Sequence, residues 1–238
     1  MKSENLFQSF DTKCFNGKGL NCQAIFNINS LPTDIVDSLT SEGVDLSGFT
    51  QLIILAHRGT ELWQHIQPIL KQSSDPIDDF SAAVVTDFFQ YKMPDRQYAI
   101  IYPGERIIGL QHLGELAGWH YPSPFRVGIN VEWGSWFAYR IVLLADTNFE
   151  PTSKMDSFSP CIGCEAKVCI TSCPAESFDE QDFVLAACIE YRLKPDSLCR
   201  DKCLSRLSCP VAKAMQYSDE QLHYHYSFSM KAIERYYS

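Results

Sequence analysis

The chain has 238 residues, 45% of them hydrophobic and 21% charged, with ten cysteines and a formal net charge of -9 at pH 7. That length and composition belong to a folding chain that buries roughly 70% of its unfolded surface, and they exclude a disordered or fibrous protein. The negative charge argues against a phosphate-tracking surface, because nucleic-acid affinity rests on Lys and Arg releasing counterions, so no nucleic-acid partner is expected.

The opening stretch "MKSENLFQSFDTKCF" has no continuous apolar leader, and no later run approaches the roughly 18 apolar residues of a membrane span. A cytoplasmic protein without a membrane partner is expected. "CQAIFNI" then has strand character, and "PTDIVDSLTSEG" is a short helical candidate. "QLIILA" (Gln51 to Ala56) predicts a strand, followed by a helix over "GTELWQHIQPILK" with Leu62, Ile66, Ile69 and Leu70 at helical spacing. "SSDPIDDFSAAVVTDFFQYK" predicts about four helical turns, with Pro76 at the first helical position and acids in the first turn. "RQYAIIYPG" predicts the next strand and "ERIIGLQHLGELAGW" the next helix. "FRVGINVEWGSWFAYRIVLLAD" predicts two strands around a Gly-Ser turn. Alternating α and β elements predict a layered sheet with packed helices.

After Asp146 a polar connection, "TNFEPTSKMDSFSP", marks a boundary. The expected organisation is a main domain over residues 1 to 150, a cysteine-rich module over 151 to 215, and a helix over 216 to 238, capped by Ser218, that packs back on the main domain.

Eight of the ten cysteines fall between Cys161 and Cys209. In a reducing compartment such density indicates metal ligation more often than disulfides. "CIGCEAKVCITSCP" has the spacing C-x2-C-x4-C-x3-C-P, against C-x2-C-x2-C-x3-C-P in bacterial ferredoxins, where three thiolates hold one [4Fe-4S] cube and the fourth holds its neighbour. A second set, Cys188, Cys199, Cys203 and Cys209, ends in the same Cys-Pro signature. The expected assignment is crossed: Cys161, Cys164 and Cys169 with Cys209, and Cys173 with Cys188, Cys199 and Cys203, filling two [4Fe-4S] cages. Lys167, Arg200, Lys202 and Arg206 lie among them and would offset thiolate charge. Two tetrahedral zinc sites remain the alternative, since zinc accepts C-x2-C spacings as readily. Cys14 and Cys22 carry no partner signature.

"GINVEWGSWFAYRIVLLAD" resembles the strand, Gly-x-Trp-Phe turn and strand shared by the CblC-type cobalamin chaperone, epoxyqueuosine reductase and the cobalamin-dependent reductive dehalogenases. Gly134, Trp136, Phe137 and Arg140 fit the CblC pattern, while Asn130 and Val131 replace the preceding histidine and proline. "YSDEQLHYHYS" is similar to the CblC C-terminal helix, and the cysteine frame is similar to that of epoxyqueuosine reductase. The resemblance implies an α+β fold: a nitroreductase-like layered sheet with packed helices, plus a small ferredoxin-like module. It also implies that a corrinoid such as cobalamin is held near Gly134, Ser135, Trp136, Phe137 and Arg140.

Departures are specific. Glu105 follows Pro103, but the catalytic Asp that epoxyqueuosine reductase places before this proline is missing, as is its Gly-Lys-Asn motif. No catalytic residue is assigned, and no side chain is a convincing general acid. His57 reads as a structural histidine. His223 and His225, two apart on a helix, point in different directions. Trp119, Trp133 and Trp136 read equally as core or as a cofactor wall.

Two functions fit these residues. One is an iron-sulfur oxidoreductase that takes electrons from a donor protein or reductant, passes them through two [4Fe-4S] clusters, and reduces or processes a bound corrinoid. The other is a ferredoxin-like carrier or docking module without corrinoid, with a zinc-stabilised binding protein as a third form.

Overall fold

A computed structural model describes residues 7–179 and 182–237. These form two compact units, Met1–Gly118 with Phe137–Met155, and Trp119–Trp136 with Asp156–Ser238. Helix and sheet occupy separate elements, so the fold is α+β.

The first unit is built on a four-stranded antiparallel sheet in the order β1 (Cys22–Asn27), β2 (Gln51–Arg58), β4 (Phe137–Ala145), β3 (Tyr98–Tyr102). β2 is central and its first seven residues are buried, which explains the unbroken apolar run "LIILA". Its first residue, Gln51, is an exception with every bond satisfied. The amide Nε2 donates to Asn27 Oδ1 at 2.9 Å and to the Phe149 carbonyl at 2.8 Å, while Oε1 accepts from Thr147 Oγ1 and the Phe149 N–H.

α1 (Thr12–Asn16) and α2 (Thr33–Ser41) flank β1 in sequence. α3 (Glu61–Ile66) is shorter than the apolar spacing predicts. Pro68 lacks an N–H, so the chain tightens into a 3-10 turn over Gln67–Ile69. α4 (Pro76–Lys92) runs 17 residues and buries Ile77, Ser81, Val85, Phe88 and Phe89, one stripe at helical period. Phe88 joins Phe10, Phe15 and Phe149 in an aromatic cluster with centroids 4.9 to 6.4 Å apart. α5 (Leu110–Ala117) ends at Gly118, whose φ of 76° closes the helix in the left-handed region.

The second unit holds the short elements α6 (Val168–Thr171), the antiparallel pair β5 (Phe178–Asp179) and β6 (Asp182–Phe183), α7 (Leu185–Leu193) and α8 (Leu204–Ser208), and the 19-residue α9 (Asp219–Tyr237). α6 packs on α8, and α7 on α9. Ser218 caps α9 as expected, its Oγ accepting the Gln221 N–H at 3.2 Å.

The first of the two strands expected before β4 does not form a ladder. Residues 121–134 make only two isolated bridges, Tyr121 with Ile129 and Asn130 with Gly134. The cause is Asn130, whose Oδ1 accepts the N–H groups of Glu132 and Trp133 and folds the chain into an Asx turn. Among the described residues no helix is long and apolar enough to cross a membrane.

Candidate metal centre

All ten cysteines are free thiols, so no disulfide framework holds the cysteine-rich segment together. The packing of α6 against α8 decides which thiols meet. Cys169 lies in α6 and Cys209 follows α8, and both are buried in one apolar cluster with Phe125 and Ile129, against which Cys161 also packs. Burial pushes the Cys161 thiol up, and the neighbouring Cys209, Cys169 and Cys164 push it further in the same order. Burial likewise raises Cys169, with Cys209 and Cys164 adding to it.

The other four thiols surround a cavity of about 420 Å³. Cys173 follows α6, Cys188 sits on α7, Cys199 lies in the loop beyond α7, and Cys203 caps α8; all four line this cavity. Burial pushes Cys188 up to about 11, with Cys203 first among the thiols that add to it, followed by Cys173 and Cys199. Cys199 is raised by burial and again by Cys203 and Cys173. The thiols acting on one another therefore sort into Cys161, Cys164, Cys169 and Cys209 on one side and Cys173, Cys188, Cys199 and Cys203 on the other.

Hydrogen bonding is unequal within the second set. Burial raises Cys173, but the N–H groups of Ser177 and Ala175 and the hydroxyls of Ser205 and Ser177 outweigh it and hold this thiol below its ordinary value. Stabilised thiolate is the form that ligates metal. Soft sulfur ligands at this density suit iron-sulfur or zinc. A zinc ion with Zn–S bonds of about 2.3 Å draws four sulfurs onto one point. Among the described residues no three His, Cys, Asp or Glu side chains converge as a single ion requires; the second set encloses a volume instead.

Arg192 was not singled out by motif. Its place on α7 one turn after Cys188 is the signal, since residues four apart share a helix face. It is only 7% exposed and lines the cavity; its Nε donates to the Cys199 carbonyl at 3.0 Å and its Nη1 to Ser229 Oγ at 2.8 Å. Of the four cations noted from sequence, Lys202 lines the cavity and Arg206 is buried, whereas Lys167 is exposed and Arg200 is paired with Glu234 at 2.6 Å.

The residues proposed by resemblance for a corrinoid fall into two places. Gly134, Ser135 and Trp136 belong to the second unit, with Ser135 and Trp136 fully buried. Gly134 has φ 57°, and a Cβ there would stand 2.6 Å from the Val211 carbonyl oxygen. Arg206 donates through Nε to Ser135 Oγ at 3.2 Å and through Nη2 to the Ser135 carbonyl, and its guanidinium lies over Trp136. Phe137 and Arg140 belong to the first unit, at the start of β4. Arg140 Nε donates to the buried His57 Nδ1 at 3.0 Å, and it acts electrostatically on Asp78 and Tyr102, both of which burial raises. His225 lines the cysteine cavity, while His223 faces Asp201 at 3.7 Å.

No family model matches this chain, and no curated protein matches it. Solved structures do. The epoxyqueuosine reductase of Streptococcus thermophilus is 12% identical over 87% of this chain and 66% of its own, with a TM-score of 0.51. A selenomethionine-labelled epoxyqueuosine reductase is 14% identical over 89% and 68%, again at 0.51. The chain thus spans about two thirds of the length of these neighbours, and the likeness is one of fold.

One expectation is corrected. A further epoxyqueuosine reductase, 15% identical over 89% of this chain and 66% of its own with a TM-score of 0.48, was solved with a tRNA-Tyr epoxyqueuosine-modified stem loop. The expectation of no nucleic-acid partner is withdrawn: a net charge of -9 does not by itself exclude one. Summed charge averages over a whole surface, whereas a nucleic acid meets one face of it.

Proposed function

We propose that the protein is an iron-sulfur redox protein. Cys161, Cys164, Cys169 and Cys209 would hold one [4Fe-4S] cluster, and Cys173, Cys188, Cys199 and Cys203 the other. The observation that carries this reading is the grouping of the free thiols, Cys161, Cys169 and Cys209 at one apolar cluster and Cys173, Cys188, Cys199 and Cys203 around one cavity. The clusters would supply one-electron transfer at potentials tuned by charge, hydrogen bonding and solvent access. The chain supplies the rest. Amides and hydroxyls around Cys173 stabilise its thiolate, Arg192 and Lys202 offset negative charge, and Phe125, Ile129 and their neighbours keep water from the first set.

The electron acceptor in this reading is a corrinoid. Its support is the fold likeness to epoxyqueuosine reductases together with the match of Phe137 and Arg140 to the CblC pattern. Gly134, Ser135 and Trp136 serve this reading as the buried scaffold that fixes the start of the turn.

Anaerobic purification followed by cob(II)alamin addition tests both layers. A brown protein whose broad visible absorbance bleaches with dithionite, and which changes the cobalt spectrum, supports the full reading. A brown protein that leaves the cobalt spectrum unchanged at saturation reduces it to an electron carrier. A colourless protein loaded with zinc removes it.

A further inference from the structure

The two thiol sets differ in their surroundings, and the difference lies in charge. The only charged side chains lining the cavity of the second set, among the described residues, are Arg126, Arg192 and Lys202, all of them cations. Arg192 is the most deeply placed: it is 7% exposed, fixed by hydrogen bonds to the carbonyls of Cys199, Arg200 and Tyr226 and to the Ser229 hydroxyl, and it lies 5.3 Å from the centre of the Tyr226 ring. Among the described residues its side chain has no carboxylate partner, and it lines the same cavity as Cys173, Cys188, Cys199 and Cys203. The first set sits instead against Ile129, Tyr121 and Val211, with Phe125 shared between the two sets, and the one cation of its loop, Lys167, is exposed to water. Arg206, on α8, is turned to Ser135, Trp136 and Tyr217.

Solvent access does not cancel this asymmetry. Two thiols of the first set, Cys169 and Cys209, are buried, against one of the second, Cys199. The backbone N–H groups of Ser177 and Ala175 beside Cys173 act in the same direction. Adding an electron makes a cluster more negative. A fixed cation in a low-dielectric cavity and hydrogen bonds to sulfur both favour that reduced form.

The geometry points to a built-in potential difference: Arg192 is a positioning residue that makes the cluster of Cys173, Cys188, Cys199 and Cys203 the more easily reduced of the two. This rests on the two-cluster reading. With clusters bound, one electron from a low-potential reductant such as dithionite that reached the cluster of Cys161, Cys164, Cys169 and Cys209 would pass to the second, the first being reoxidised as the second is reduced, with no bond made or broken. A half-reduced protein therefore holds its electron in the second set.

An EPR-monitored redox titration of the reconstituted protein with dithionite tests this. The wild type should show two separate one-electron steps. Arg192→Met should lower the upper step at least tenfold in its equilibrium constant, 59 mV for a one-electron couple, and leave the lower step in place. Arg192→Lys, which keeps the charge, should restore most of the gap. Cys188→Ser should perturb the signal of the upper step. Two clusters that reduce together in the wild type, an upper step unmoved by Arg192→Met, or a Cys188→Ser effect on the lower step alone would each overturn the inference while leaving the two-cluster reading intact. A wild-type protein with no iron or sulfide would instead remove the reading beneath it. The wild-type titration and the Cys188→Ser assignment decide the matter even if Arg192→Met does not fold.

Discussion

The Arg206 guanidinium lies 4.4 Å from the centre of the Trp136 ring, and through Ser135 it ties the turn at Gly134 to the helix between Cys203 and Cys209. A residue that sequence reading placed among charge-balancing groups thus doubles as the anchor of a motif read from resemblance. Tyr217 stacks on the same guanidinium at 5.1 Å. A buried cation over an aromatic face contributes about 2 kcal/mol, and its hydrogen bonds about 1.5–3 kcal/mol more. Arg206→Ala should therefore cost roughly 4 kcal/mol in chemical denaturation of the reconstituted protein. Arg206→Lys should recover little of it, because an ammonium has neither the fork nor the planar face.

Gly134 is the second test of that turn. A side chain at φ 57° costs about 1 kcal/mol, and the Cβ of alanine would meet the Val211 carbonyl as well. Gly134→Ala should lower stability by about 2 kcal/mol or more. Gly43, also at positive φ but with open space around its position, provides the control. Gly43→Ala should cost only the backbone component, and equal losses at the two sites would contradict the close approach.

Much of the first unit was legible because its signals are local. The apolar run of β2 and the Asp-Pro start of α4 each act within a few residues, as does the Ser218 cap in the second unit. The expected strand before β4 failed for the opposite reason: a single side chain, Asn130, captures two amides that a ladder would have used. The crossed pairing of thiols comes from cluster-type spacing and stands as a proposal. Arg192 was not legible, because an arginine on a short helix carries no motif, and only folding shows that its charge faces the cavity. The burial of Ser135 and Trp136 was equally hidden, since an aromatic-rich turn has the same composition whether it faces a ligand or a helix.

Gln51 tests the sheet. Its side chain satisfies two donors and two acceptors at 1% exposure. Gln51→Leu preserves bulk but strands the Phe149 amide and carbonyl, each worth about 1–3 kcal/mol when buried without a partner. A loss of about 3 kcal/mol is expected by denaturant midpoint. A neutral result would show that the network relaxes onto water.

Metal removal should act on one unit. Apart from α9, the described part of residues 156–238 holds only short helices and one two-stranded pair, so the cages are expected to supply much of its stability. Chelation under denaturant-free conditions should open this segment to proteolysis while the four-stranded sheet keeps its far-ultraviolet signal. Uniform resistance before and after chelation would show that the thiol sets do not depend on metal.

Native mass spectrometry of anaerobically prepared protein addresses the central claim most directly. The account expects a single species heavier than the chain by two [4Fe-4S] units, reduced to one unit when Cys188 is replaced by serine. A mass raised only by zinc ions, or lowered by hydrogen loss through disulfide formation, would contradict it.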